Sequence, residues 1–144
     1  MARRLDERSA GGILYRIRMQ EGRLQIEEVW KQPLMRNKFG SSIIHDGHVY
    51  GFDEVTLRCI SLEDGAAAWA ERSTGWGSLI FADGRLFVLT DKGRLLLLEA
   101  SPESYREKGA VQALEGRSWT APTLAHGRLY LRNHTEMVSY DVRN

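Results

Sequence analysis

The sequence holds a single cysteine, Cys59. One thiol excludes an intrachain disulfide framework and a multi-cysteine zinc site. There is almost no excess of charge of either sign: 20 Lys and Arg stand against 19 Asp and Glu, a formal net charge of +1. That balance gives no electrostatic case for nucleic acid or for an anionic membrane surface. No apolar run approaches the roughly 18 residues of a membrane-spanning helix. The opening residues, Met1-Ala-Arg-Arg-Leu-Asp-Glu-Arg-Ser9, are charged and lack the apolar stretch of a signal peptide. This points to a cytoplasmic protein or to a true N-terminus further upstream. No Gly-rich phosphate loop, Ser-His-Asp set or zinc-ligand spacing is present.

What is there is strand pattern. The 144 residues are enough for one ordinary domain, and 42% hydrophobic with 27% charged is a globular composition. From Trp76 to Ser101, three apolar runs (Leu79–Phe81, Leu86–Leu89 and Leu95–Leu98) are separated by Asp83-Gly84 and Asp91-Lys92-Gly93. Short apolar runs between Asp-Gly turns predict a three-stranded antiparallel meander. A fourth run follows at 105–114. An earlier copy reads as strands over 41–44, 48–52 and 56–62, with turns at Asp46-Gly47 and Asp53-Glu54; Glu63-Asp64-Gly65 then leads into 66–69. A later copy reads as 119–124, 128–132 and 137–142. Before these, 13–19 and 24–30 alternate apolar with polar around a turn at Gln20–Arg23. Helix is the rival reading for 23–31, but alternation favours a strand. Residues 1–12 read as a loose tail, and residues 13–144 as the repeat region.

The first-turn glycines Gly47, Gly84 and Gly127 put the copies in register, 37 and 43 residues apart. A period near forty residues with about four short strands is that of a propeller blade. In this register Phe39, Trp76 and Trp119 form one column, and the small residues Ser41, Ser78 and Ala121 form another. The middle copy is the most continuously apolar, as a sheet covered on both faces should be. The fold class expected is all-β: β-propeller blades, about three four-stranded antiparallel sheets, as a partial or assembling propeller.

Cys59-Ile-Ser-Leu-Glu-Asp-Gly65-Ala-Ala-Ala-Trp69 resembles the tryptophan-docking motif of quinoprotein-type propellers. Gly65 and Trp69 match the motif. Ser61 stands where Asp is expected, and Asp64 where Thr is expected. Trp30 resembles the Trp of a preceding copy, and Tyr105 stands in place of Trp in the middle copy. Trp119–Tyr130 also resembles a blade of the PQQ-like repeat proteins, which include the outer-membrane assembly factor type. The resemblance implies structural docking roles for Trp30, Gly65 and Trp69, and a periplasmic or secreted location if the N-terminus lies upstream. It does not imply one activity, because propellers host many. The absence of Trp-Asp dipeptides argues against a WD40 scaffold.

Counting from residue 13 gives about thirteen strands, a little over three blades, whereas closed propellers have four to eight. An open arc is expected to leave apolar blade faces and strand edges bare. The expectation is therefore a C-terminal part of a larger propeller, or a chain that self-associates or takes up remaining blades to close the ring.

For function, Phe39, Trp76 and Trp119 are candidate contacts at the channel mouth, able to stack on a planar ligand. Lys38, a further candidate contact at the channel mouth, and Arg117 adjoin them as candidate anion or cofactor contacts. His45, His48, His126 and His134 read as turn histidines, and Cys59 as a small core residue. The acidic residues Asp46, Asp53, Asp64, Asp83 and Asp91 read as turn formers. No catalytic, cofactor or metal residue is assigned. The reading is a non-catalytic binding or scaffold module with a protein or peptide partner. The alternative is part of a quinoprotein-type oxidoreductase using PQQ with calcium, whose cofactor residues lie elsewhere.

Overall fold

The computed structural model describes residues 11–143, so residues 1–10 of the expected tail lie outside it. Gly12 already belongs to a strand. Thirteen strands follow in four antiparallel sheets. A two-stranded ribbon comes first, β1 (Gly12–Gln20) and β2 (Arg23–Gln32). The first full sheet is β3 (Ile43–His45), β4 (His48–Asp53), β5 (Thr56–Ser61) and β6 (Ala67–Glu71). The second is β7 (Gly77–Ala82), β8 (Arg85–Thr90), β9 (Arg94–Glu99) and β10 (Glu107–Gln112). The last has three strands, β11 (Thr123–Ala125), β12 (Arg128–Arg132) and β13 (Met137–Asp141). Every sheet is a meander in chain order. Residues 23–31 are strand, so the alternation outweighs the helix propensity of their Glu and Gln.

The turns explain the strand order. Glu21-Gly22, Asp46-Gly47, Asp83-Gly84 and His126-Gly127 all have positive φ at both residues, 45° to 73°. That is the two-residue hairpin turn whose twist matches paired strands, and it favours Asp or Asn followed by Gly. The same glycines then receive the third strand. The backbone N–H groups of Leu62, Ala100 and Val142 donate to the carbonyls of Gly47, Gly84 and Gly127 at 2.9, 3.0 and 2.9 Å. One hydrogen bond repeated in three copies makes the register physical.

The core lies between sheets. Tyr50, Phe52, Leu57 and Cys59 of the first full sheet pack on Leu79, Leu86, Val88, Leu96 and Leu98 of the second. The other face of the second sheet, with Leu89, Ile80, Phe87 and Leu95, packs on Leu129, Leu131, Val138 and Tyr140. Met35, Val49, Ile60 and Trp30 join the ribbon to the first full sheet. The middle sheet is thus covered on both faces, which accounts for its unbroken Leu and Val runs.

Two indoles tie successive sheets together. Trp30 Nε1–H donates to the Leu62 carbonyl at 2.8 Å, and Trp69 Nε1–H to the Ser101 carbonyl at 2.8 Å, each 32 residues ahead. Gly65 lies against the first indole: a Cβ there would sit 3.1 Å from Trp30 ring atoms. Tyr105 meets the second edge-on, with centroids 5.9 Å apart. The register corrects the reading of Tyr105. Trp69 lies opposite Cys59, whereas Gly109 lies opposite Leu97, and each pair adjoins a bulge. Ser61 N–H bonds to Ala66 O as Glu99 N–H bonds to Arg106 O. Tyr105 therefore holds the place of Gly65, and Gly109 holds the place of Trp69.

The two ends of the stack differ. Alternation in the last sheet turns Arg128, Tyr130, Arg132, Ser139 and Asp141 away from the core, with Arg128 and Arg143 paired to Asp141. The expectation of bare apolar faces therefore fails at this end, where, among the described residues, only Met137 is a well-exposed large apolar side chain on that face. It holds at the ribbon, where Tyr15, Ile17, Met19, Leu24 and Ile26 are 49–68% exposed.

Trp69→Ala should cost about 3 kcal/mol and Trp69→Phe about 1 kcal/mol, the loss of one hydrogen bond, both read from urea unfolding. A Cβ at Gly109 meets nothing within 4 Å. Gly109→Trp should therefore stabilise by about 1 kcal/mol, since glycine weakens a strand interior, with a higher urea midpoint as the readout.

Candidate functional site: an aromatic and cationic rim

Each of the three sheets after the ribbon is entered by a short irregular segment, and each segment carries one aromatic of the column. Phe39 precedes β3, Trp76 immediately precedes β7, and Trp119 precedes β11. The structure brings all three together. Phe39 stacks on Trp119 at 5.1 Å between centroids, with planes 12° apart. Phe39 meets Trp76 at 6.0 Å, edge to face. The first and third copies thus touch directly, past the second. Crowding where the first strands converge explains the small residues nearby. A Cβ on Gly40 would lie 3.2 Å from Ser78 Cβ, and Ser78 Oγ lies 3.4 Å from the Thr120 carbonyl.

Both neighbouring cations join the cluster. Lys38 Nζ lies 4.6 Å from the Trp76 ring centroid and 5.3 Å from that of Phe39. The Arg117 guanidinium carbon lies 5.0 Å from the Trp119 ring. Aromatic faces attract cations at these distances, so the rings hold two positive charges at the rim. His134, read from the sequence as a turn residue only, packs against Trp119 at 6.5 Å. Beside it is a cleft of about 40 Å³ lined by Arg117, Trp119, Thr120, Arg132, Asn133 and His134, with no acidic residue. Phe39 and Trp119 are 39% and 45% exposed, so the surface is open to a partner. His134 and Arg132 could not be found from sequence, because their approach depends on how β12 turns into β13.

The remaining candidates have structural places. His45 pairs with His48 across the first hairpin, and its ring lies 4.3 Å from that of Phe81. His126 is a turn residue with φ 50°. Cys59 is fully buried, and burial pushes its thiol up to about 11. A thiol so protonated is a poor nucleophile.

Asp53 departs from the turn reading. It ends β4 with its side chain 1% exposed, 2.6 Å from Arg36 Nε and 2.9 Å from Arg58 Nε; the turn is made by Glu54, with φ 55°. Burial alone would raise its pKa. The hydrogen bonds from Arg36 and Arg58 outweigh burial and hold the carboxyl below the usual carboxylate range. A carboxylate clamped by two guanidinium groups is not available as a base.

A calcium-held quinone does not fit this rim. Calcium takes six to eight oxygen ligands, largely carboxylate and carbonyl. The rim presents Lys38, Arg117 and His134, and no cluster of three or more His, Cys, Asp or Glu suited to a metal occurs among the described residues.

The lowered pKa of Asp53 sets a pH dependence. Its contribution is fully present above the unfolded carboxylate value of about 4 and is lost as pH falls below it. Asp53→Asn should therefore cost about 3 kcal/mol at pH 7, and its stability should change less than the parent's between pH 5 and pH 2, measured by urea unfolding.

No family model matches the chain, and no curated protein matches it. Solved structures do. BamB from Moraxella catarrhalis aligns with a TM-score of 0.56 at 15% identity, over 70% of this chain and 32% of that one. The quinohemoprotein alcohol dehydrogenase ADHIIG from Pseudomonas putida HK5 aligns with a TM-score of 0.60 at 16% identity, over 72% of this chain and 19% of that one. The chain spans about a third and a fifth of the lengths of these two proteins. At such identities the likeness carries the architecture and not the chemistry. The meanders, the repeated closing hydrogen bonds and these neighbours agree: this chain has the fold of quinoprotein-type, PQQ-like β-propeller blades.

Proposed function

We propose that the chain is a non-catalytic binding or scaffold module, and that its rim takes an acidic segment of a protein partner. The observation that carries this is the stacked Phe39–Trp119 pair held beside Lys38 and Arg117. A rigid aromatic platform offers contact area at low entropic cost, and cations set over its rings draw carboxylates to it. The cleft between Arg117 and Arg132 suits one carboxylate group. Aromatic and arginine side chains are the residue types that carry most of the energy of protein contacts.

The test is a titration of the full chain with a labelled, glutamate-rich peptide containing one tyrosine. Trp119→Ala should weaken binding by about 2 kcal/mol and Lys38→Ala by about 1 kcal/mol, and added salt should weaken binding to the parent. Equal binding of a neutral peptide, or indifference to both substitutions, overturns the reading.

A further inference from the structure

The ribbon matches half of a full sheet, pair for pair. Leu14 lies opposite Trp30 as Cys59 lies opposite Trp69, and a bulge follows at once in each, after Leu14 and after Cys59. β1 therefore holds the place of a third strand, and β2 that of a fourth. In both four-stranded sheets the third strand is paired on both sides, β5 by β4 and β6, β9 by β8 and β10. β1 is paired by β2 alone among the described residues.

The surface beneath shows what is missing. Ile44, Val49 and Ile60 form one row across β3, β4 and β5. Their exposures are 63%, 9% and 0%. The outer end of the row is covered by the ribbon and the inner end is bare. The matching row of the next sheet is Phe81, Leu86 and Leu98. It lies under the first full sheet, with Leu86 and Leu98 at 0% and 1%. Between β1 and the bare end runs a groove of about 190 Å³, lined in part by Ile13, Leu14, Met35, Ile44 and Val49. It continues the core cluster of Met35, Val49 and Ile60.

We propose that the free edge of β1 is a strand-addition site, completed by an extended segment of a partner protein with alternate apolar side chains, running antiparallel to β1 over the groove. At the intact interface this place is filled by β3 and β4, whose Ile43, Tyr50 and Phe52 supply the covering side chains. Strand addition supplies affinity through the main chain and selectivity through alternate side chains. Two other occupants do not fit. A second copy has no spare strand of this kind, since its own β3 and β4 are paired within their sheet. Residues 1–10 hold Met1 and Leu5 as their only large apolar residues and show no alternation. The site is independent of the aromatic rim.

The experiment uses the full chain and a fluorescein-labelled peptide of the chain's own residues 41–53, the β3–β4 hairpin, as the probe. Saturable one-to-one binding is expected, with slowed hydrogen exchange at outward-facing β1 amides within residues 13–16. Ile44→Asp places a charge on an already exposed position and so leaves the fold intact; it should weaken binding by about tenfold or more. Trp119→Ala should leave binding unchanged. The proposal is overturned by an absence of saturable binding, by protection that misses β1, by equal binding of a scrambled peptide, by indifference to Ile44→Asp, or by dimerisation through β1 that excludes the peptide.

Discussion

The constraint on which this fold rests is the placement of one indole between two sheets. Antiparallel meanders hold themselves together by ladder hydrogen bonds, but nothing in a ladder fixes how one sheet stacks on the next. Trp30 and Trp69 do that. Each ring lies over the following sheet, and each N–H is satisfied by a carbonyl 32 residues ahead. A buried donor left unpaired is costly, so the carbonyl fixes rotation as well as distance. The third interface, at Gly109, has no such indole. Leu89, Leu129 and Leu131 hold it by apolar burial, which is strong but not directional.

Much of this was legible because the signals are local. Asp-Gly and His-Gly pairs demand positive φ at both residues, and they mark the hairpins. The glycine spacing gave the repeat, and the runs Leu86–Leu89 and Leu95–Leu98 gave the sheet that is covered twice. The sequence could also place Phe39, Trp76 and Trp119 in one column, since a column needs only register.

What was not legible depends on distant partners. Asp53 beside Glu54 reads as a turn, and only the approach of Arg36 and Arg58 makes it a buried anion. The Trp position was set four residues too early, at Tyr105, in part because the turn before β10 is two residues longer than its counterpart before β6, so the motif spacing does not carry over. Alternation marks Ile17 and Ile26 as a strand face, yet it cannot say whether anything covers that face. His134 joins the aromatic cluster through a turn whose path the pattern does not encode. In each case the missing information is a contact between elements, not a preference within one.

The unlike end faces give the stack a direction. A column of identical units grows without limit only if each end can receive the other. Here one end offers an apolar ribbon and a free strand edge, and the other offers Arg128, Arg132, Ser139 and Asp141. Burying that charged end against an apolar one would strand its ions away from water. Head-to-tail stacking of copies is therefore disfavoured. A sheet protein with an open edge is ordinarily at risk of edge-to-edge association, and the ion-paired outer face at Asp141 is the feature here that opposes stacking of an apolar surface upon it.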